Sequence, residues 1–331
     1  MKKIDLISFV TVSLLLLSCS GGVKNGESSN QTEEVSELNS SYVVETTKEE
    51  TSPCSDEVKK DGALVKGVFK VSDTQSVRFS QGNLQYNAGN GKTHKTATGE
   101  AQGTWRFAEN QWDVIGEGNA YASADYDGWI DLFGWGTCGW SESGAKAYEP
   151  WSKSQLGRDY YDGKELSDAD WGAFNAISNG GNEPGMWRTL TPEEWNYLVE
   201  NNKWTMGTVE GMLCLLLIPS DFPYQNKVAF VNINIERDDE YGDSYWFSSE
   251  DYVKNKYTAE EFKKFEEYGV VALPCAGESM YGVGEAGGYW SSSDDGYGCV
   301  YLLNFNSTSY CSIGCCVGRA AGRSVRLVQD F

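Results

Sequence analysis

The stretch GVFKVSDTQSVRFSQGNLQY, residues 67–86, decides the fold class. It holds three runs, Gly67-Val-Phe-Lys-Val71, Ser76-Val-Arg-Phe79 and Gly82-Asn-Leu-Gln-Tyr86, which alternate β-branched or aromatic with polar side chains and are separated by turn formers. Period-two alternation over four or five residues predicts short strands with one buried face. Thr104-Trp-Arg-Phe107 repeats the pattern. Two runs lack the alternation, Met212-Leu-Cys-Leu-Leu-Leu-Ile-Pro219 and Gly269-Val-Val-Ala-Leu-Pro274. They predict strands buried on both faces, with Cys214 and Cys275 as small apolar side chains.

Helix signals are fewer. Thr191-Pro-Glu-Glu194 offers an N-cap Thr, Pro at the first helical position and Glu at N3, a capping box that opens a helix over Glu193 to Glu200. Thr258-Ala-Glu-Glu261 repeats the device, with a helix to Tyr268 and Gly269 as its stop. No repeat of 20–50 residues recurs. The expectation is an α+β domain over residues 63–331 with short strands, two main helices and long loops.

Upstream of that domain the chain reads as an address. Met1-Lys-Lys3 and the apolar run Ile4 to Leu17 form a secretory signal, residues 1–18, too short to span a bilayer. Leu16-Leu17-Ser18-Cys19 matches the bacterial lipobox, so Cys19 is the expected lipidation site and its acyl chains the expected membrane anchor. Residues 19–62 are Ser-, Glu- and Lys-rich, the composition of a flexible acidic tether. Cys54 lies in it with no expected chemistry. The expected location is the outer membrane, with the domain on the cell surface.

Composition limits function. With 27 Lys+Arg against 48 Asp+Glu the formal net charge is −21, which leaves no basic footprint for nucleic acid. The single His94 lies in Asn90-Gly-Lys-Thr-His-Lys-Thr, read as a solvated loop, so triads and His-based zinc sites lack their usual base and ligand. No catalytic residue, metal ligand or cofactor is expected. The 12 Trp, 19 Tyr and 13 Phe argue that most of the chain folds.

Several segments taken in order carry a family resemblance. Val77-Arg-Phe-Ser-Gln-Gly-Asn-Leu-Gln-Tyr86, Trp105-Arg-Phe-Ala-Glu-Asn-Gln111, Gly128-Trp-Ile-Asp-Leu-Phe-Gly-Trp-Gly136, Gly185-Met-Trp-Arg-Thr-Leu-Thr191, Tyr289-Trp-Ser-Ser-Ser293 and Gly322-Arg-Ser-Val-Arg-Leu-Val328 resemble surface lipoproteins of gut Bacteroidales that carry a C-type-lectin-like domain. These are similar to the Fibrobacter major-paralogue domain and, more distantly, to the formylglycine-generating-enzyme fold. The resemblance spans residues 65–328. It implies a C-type-lectin-like fold, a small mixed sheet with two helices packed on it, whose final third presents a binding face.

Three motifs point elsewhere and are weak. Gly282-Val-Gly-Glu-Ala-Gly287 has the letters of a dinucleotide loop, but Tyr289-Trp-Ser-Ser-Ser follows where a helix is needed, so a Gly-rich turn is expected. Asn182-Glu-Pro184 differs in order from the calcium loop of true C-type lectins and reads as a turn before Trp187. Asp125-Tyr-Asp127 and Asp238-Asp-Glu240 read as solvated acidic clusters. The cysteines do not reproduce the active-site pair of the oxidase relatives, and disulfide pairing stays open among them.

Residues 294–321, DDGYGCVYLLNFNSTSYCSIGCCVGRAA, are compositionally odd and include four of the nine cysteines. The resemblance extends to proteins diversified by retroelements, in which replaced template adenines turn Asn codons into NNC or NNT. Such codons never encode Lys, Glu, Gln, Met or Trp. Those five types make 73 of 331 residues, yet none occurs from Ser291 to Val328. At that frequency chance expects about 8 in the window and gives none roughly once in ten thousand. A Gly/Ser-rich terminal sheet under no special process is the plain alternative.

Tyr, Ser, Gly and Asn also suit a binding face, as in antibody paratopes. Alternation puts Val300, Leu302 and Phe305 toward the core. The expected ligand contacts are Asp294, Asp295, Tyr297, Cys299 and Tyr301, then Tyr310, Ser312, Cys315, Cys316, Ala320 and Ala321. Gly322 to Val328 is expected as a closing strand. The resulting expectation is a non-enzymatic surface receptor or adhesin binding a macromolecule, protein or glycan, through a face at about 291–328. The alternatives are a glycan-binding lipoprotein of a polysaccharide-handling complex and, third, a formylglycine-type oxidase.

Overall fold

The computed structural model describes residues 58–89, 93–96, 99–123, 125–140, 149–151, 161–223, 235–238, 244–247, 253–277, 282–307 and 310–331. The chain divides into Met1–Thr51 and Ser52–Phe331. The signal, Cys19 and Cys54 lie outside the described residues, as do Asp239 and Glu240.

Within the second unit the fold is α+β and rich in short strands. The first hairpin joins β1 (Lys59–Lys60) to β2 (Ala63–Lys70) through Asp61-Gly62, whose φ values are +48° and +80°. Positive φ at both central residues gives a type I′ turn, whose twist suits antiparallel strands, and Asp-Gly is its strongest sequence signal. This corrects the expected tether boundary at residue 62. Lys59-Lys60 is tether-like in composition, and only its pairing with Leu64 and Ala63 makes it strand.

β1 and β2 continue into β3 (Ser76–Ser80) and the C-terminal β18 (Val328–Asp330), in the order β1-β2-β3-β18. A second sheet pairs β7 (Thr104–Phe107), β4 (Leu84–Asn87) and β8 (Trp129–Ile130). Between β4 and β7 stands a two-stranded hairpin of β5 (Thr93–Thr96) and β6 (Gly99–Gln102), so His94 is a strand residue opposite Ala101 and not the expected loop residue.

The two unalternating runs are buried strands, as expected. β10 (Met212–Ile218) pairs antiparallel with β9 (Lys203–Val209) and β14 (Val271–Pro274), while β13 (Lys256–Tyr257) runs parallel to β9. Cys214 and Cys275 are fully buried there. Both predicted capping boxes form. In α2 (Pro192–Asn201) the Glu194 carboxylate accepts from Thr191 N at 2.9 Å and Thr191 Oγ accepts from Glu194 N at 3.2 Å. Arg188 grips the same carboxylate through two 2.7 Å bonds and reaches Asp330 on β18, fastening the helix start to the C-terminus. The other long helix, α3 (Ala259–Glu266), ends where Gly269 adopts φ +83°, with Gly269 N donating to Glu266 O and Val270 N to Phe265 O. These two bonds are a Schellman stop. A four-residue helix, α1 (Trp171–Phe174), was not expected, being too short to show periodicity; Asp170 caps it.

The last sheet has the order β11-β12-β17-β16-β15, all antiparallel, with β11 (Ile235–Asp238), β12 (Ser244–Phe247), β15 (Ala286–Asp294), β16 (Cys299–Asn306) and β17 (Tyr310–Gly318). Its hairpin is buried on two sides. Tyr289, Leu303, Phe305, Cys311 and Ile313 join one core with α2 and β10, while Trp290, Val300 and Leu302 join another with Trp105, Phe133 and Trp135. The Gly282 to Gly287 motif is a turn entering β15, as expected.

The run Gly322 to Val328 corrects the expected closing strand. Regular pairing is confined to β18. Residues 323–327 are buried, and their backbone bonds go to different elements: Arg323 to Phe133, Ser324 to Gly288, Val325 to Leu84 and Leu327 to Ser80. A segment threaded among several elements has no single neighbour to form a ladder with. Its Arg326 is fully buried, donating to Gln111 Oε1 at 2.8 Å and to Asn83 Oδ1 at 3.4 Å. Gln111 also accepts from Ala272 N at 2.8 Å and donates to Val270 O and the buried Glu266 carboxylate, both at 3.0 Å. One amide thus links a buried cation to a buried anion.

Candidate ligand-binding site

The β15–β16 hairpin ends in Asp294-Asp-Gly-Tyr-Gly-Cys299, and the tip is held from inside. Asp295 Oδ1 accepts from Tyr297 N at 2.8 Å and Cys299 N at 3.1 Å, while Asp294 Oδ1 accepts from Gly296 N at 3.0 Å. Short Asp side chains bonding to backbone two residues on are a frequent turn device. Gly296 at φ +79° and Gly298 at φ +98° take conformations disfavoured for other residues. Between them Tyr297 is 95% exposed.

The expected contacts separate into two groups. Tyr297 is fully exposed, Asp295, Cys299 and Tyr301 are half-buried on the hairpin, and half-buried Ala320 and Ala321 follow β17. The register places Cys316 opposite Tyr301 and Cys315 opposite Leu302, bringing these positions to the same end of the sheet. Tyr310 and Ser312 lie at the other end, opposite Asn306 and Asn304. Four residues along a strand span about 13 Å, so Ser312 and Cys316 are not parts of one compact contact.

Two expected contacts are corrected outright. Ser312 is only 3% exposed because it lies between Ser244 on β12 and Asn304 on β16 in the middle of the sheet. The Asp294 side chain is 1% exposed, because it is ion-paired with Arg319. Its role is internal.

Residues outside the window also border the tip. Segment 164–166 bonds along β15, with Asp294 N donating to Lys164 O and Leu166 N to Ser292 O, both at 2.9 Å. Ser293 Oγ donates to the Glu165 carboxylate. Lys164 and Glu165 are exposed beside Gly296 and Ser293. No local signal marks them, since their place depends on a contact with residues about 130 positions later.

Among the described residues, three further thiols and two carboxylates are interior. Burial pushes the Cys138, Cys275 and Cys311 thiols well above the ordinary range, and Asp131 and Asp170 are held up to about 6 by the same desolvation. Each buried carboxylate is spent on local structure. Asp131 accepts from Asn119 and Ile115 N, and Asp170 from Gly172 N and Thr189. No protein-family model, curated protein or solved structure gives a significant match to the chain.

Proposed function

We propose that this chain is a surface-anchored, non-enzymatic binding protein of C-type-lectin-like fold that engages a macromolecular partner with its β15–β16 tip and the adjoining end of β17. The observation that carries the reading is Tyr297, 95% exposed yet fixed between two positive-φ glycines inside the codon-restricted window. Folding alone has no use for a large aromatic side chain held in water. A rigid Tyr supplies contact area at low entropic cost on binding. The window's apolar residues, Val300, Leu302, Leu303 and Phe305, meanwhile build the core, so one segment supplies both scaffold and contact. Retroelement diversification of the exposed positions and anchorage to the outer membrane through Cys19 complete the proposal.

The test replaces Asp295, Tyr297, Cys299, Tyr301, Ala320 and Ala321 together and profiles binding on cell-surface protein and glycan arrays. The expected result is an exchanged binding profile with thermal stability nearly intact. An unchanged profile, or an unfolded chain, overturns the reading.

A glycan-binding reading has one observation in its favour at the other end of the sheet. Trp246 on β12 is 47% exposed, in register with Tyr310 and then Asn306. An exposed aromatic ring such as that of Trp246 suits the apolar face of a sugar. Loss of glycan-array binding in Trp246→Ala, with Tyr297→Ala unaffected, would favour this second reading.

A further inference from the structure

Arg319 makes contacts that the fold of its own strand does not require. It follows β17, and its carbonyl accepts from Trp135 N at 2.8 Å. Its side chain, 8% exposed, turns toward the hairpin and ion-pairs with Asp294, the first residue of the tip. Arg319 Nη1 donates to Tyr161 O at 3.0 Å, and the guanidinium lies 5.1 Å from the Trp135 ring centroid. Trp135 in turn donates from Nε1 to Ser291 O at 2.9 Å, on the strand that leads into the tip. Segments at 135, 161 and 294 therefore meet at the Arg319 cation.

We infer that Arg319 is the positioning residue of Tyr297: it acts on the presented ring through Asp294 and holds the tip in its binding shape before any partner arrives. The inference deepens the proposed function and rests on it for its meaning, though not for its test. The two carboxylate oxygens of Asp294 serve opposite directions. Oδ1 accepts from Gly296 N and sets the turn that aims Tyr297, and Oδ2 takes the guanidinium. A carboxylate anchored at one oxygen fixes the geometry at the other. Asp295 Oδ1 accepts from Tyr297 N and Cys299 N and shapes the turn itself. Backbone bonds to segment 164–166 hold the base of the tip, and Arg319 supplies the charged attachment of the Asp294 side chain that sets the turn. A planar guanidinium with several donors satisfies carboxylate, carbonyl and ring together, which an ammonium cannot do with the same geometry. A tip held in advance loses less freedom on binding than one that must order itself.

The test needs no partner. The full chain is digested with chymotrypsin under native conditions, and cleavage after Tyr297 is measured by mass spectrometry relative to cleavage after Tyr121, a second tyrosine that is 65% exposed. Global unfolding opens both bonds, so the ratio reports the tip alone. In Arg319→Met the ratio is expected to rise at least about tenfold, because proteolysis tracks the population of the locally open form. Arg319→Lys should restore part of the resistance. Adding Asp294→Asn to Arg319→Met should open the tip no further, since both changes remove one interaction. An unchanged ratio in Arg319→Met, or a rise equal at Tyr121 and Tyr297, overturns the positioning role, as does an additive effect of the second substitution. An unchanged array profile on replacing the exposed tip residues would instead overturn the proposed function while leaving this result standing.

Discussion

Replacing Gln111 with Leu removes the amide on which two buried charges depend. The side chain is fully buried and uses both ends twice, accepting from Ala272 N and Arg326 and donating to Val270 O and Glu266. Leucine fills a similar volume and meets none of these groups. Two are neutral backbone groups, each costing about 1–3 kcal/mol when left buried without a partner; hydrogen bonds to charged groups are worth about 1.5–3 kcal/mol. Even the lower ends together reach about 5 kcal/mol, against a total stability of about 5–15 kcal/mol for an ordinary domain. Arg326 has little else, because its Nε has no partner among the described residues and Asn83 is at 3.4 Å. Gln111→Leu is therefore expected to lose most of its stability in urea unfolding followed by tryptophan fluorescence and near-ultraviolet circular dichroism. Gln111→Glu keeps the acceptors for Ala272 and Arg326 but places a carboxylate against Glu266, so it should be weaker at pH 8 and partly recover toward pH 5. A loss below about 2 kcal/mol for Gln111→Leu would refute the claim that this network makes Arg326 and Glu266 tolerable.

Three further outcomes follow from the same geometry. Asp131 and Asp170 hold their protons up to about 6 against an ordinary 3.8, because burial disfavours the ionised form. Each therefore contributes about 3 kcal/mol that is fully present below pH 4 and lost as pH rises through 6. Asp131→Asn should flatten the fall in urea midpoint between pH 4 and 6, and an unchanged slope would contradict the assignment. Tyr297→Ala should leave the melting temperature within about 2 °C, since an exposed tip residue shifts stability by less than about 0.5 kcal/mol. Thr191→Ala should cost about 1 kcal/mol through the lost N-cap, read as a lower urea midpoint.

The local elements were legible where the determining interaction spans few residues. Thr191 and Glu194 are three apart and bond to each other, so the capping box and helix start follow from adjacent letters. The same holds for the Gly269 stop and the buried β10 and β14; Val300, Leu302 and Phe305 are all buried, but Phe305 lies in a different core from the other two, because the strand is covered on both faces. The Asp61-Gly62 hairpin lay in what was expected to be tether, because its two-residue strand shows no periodicity of its own.

By itself the sequence determined alternation, caps, turns and the compositional window, because each of these depends on near neighbours along the chain. Only the tertiary structure decided which window residues reach solvent. Asp294 is withdrawn by Arg319, 25 positions away, and Ser312 by the two strands that flank it. Lys164 and Glu165 join the tip through bonds to β15, and Gln111 meets Glu266 and Arg326 across 155 and 215 positions. The reason is physical: exposure and ion pairing depend on what packs against a side chain, and long-range packing leaves no period or spacing in the sequence from which to read it.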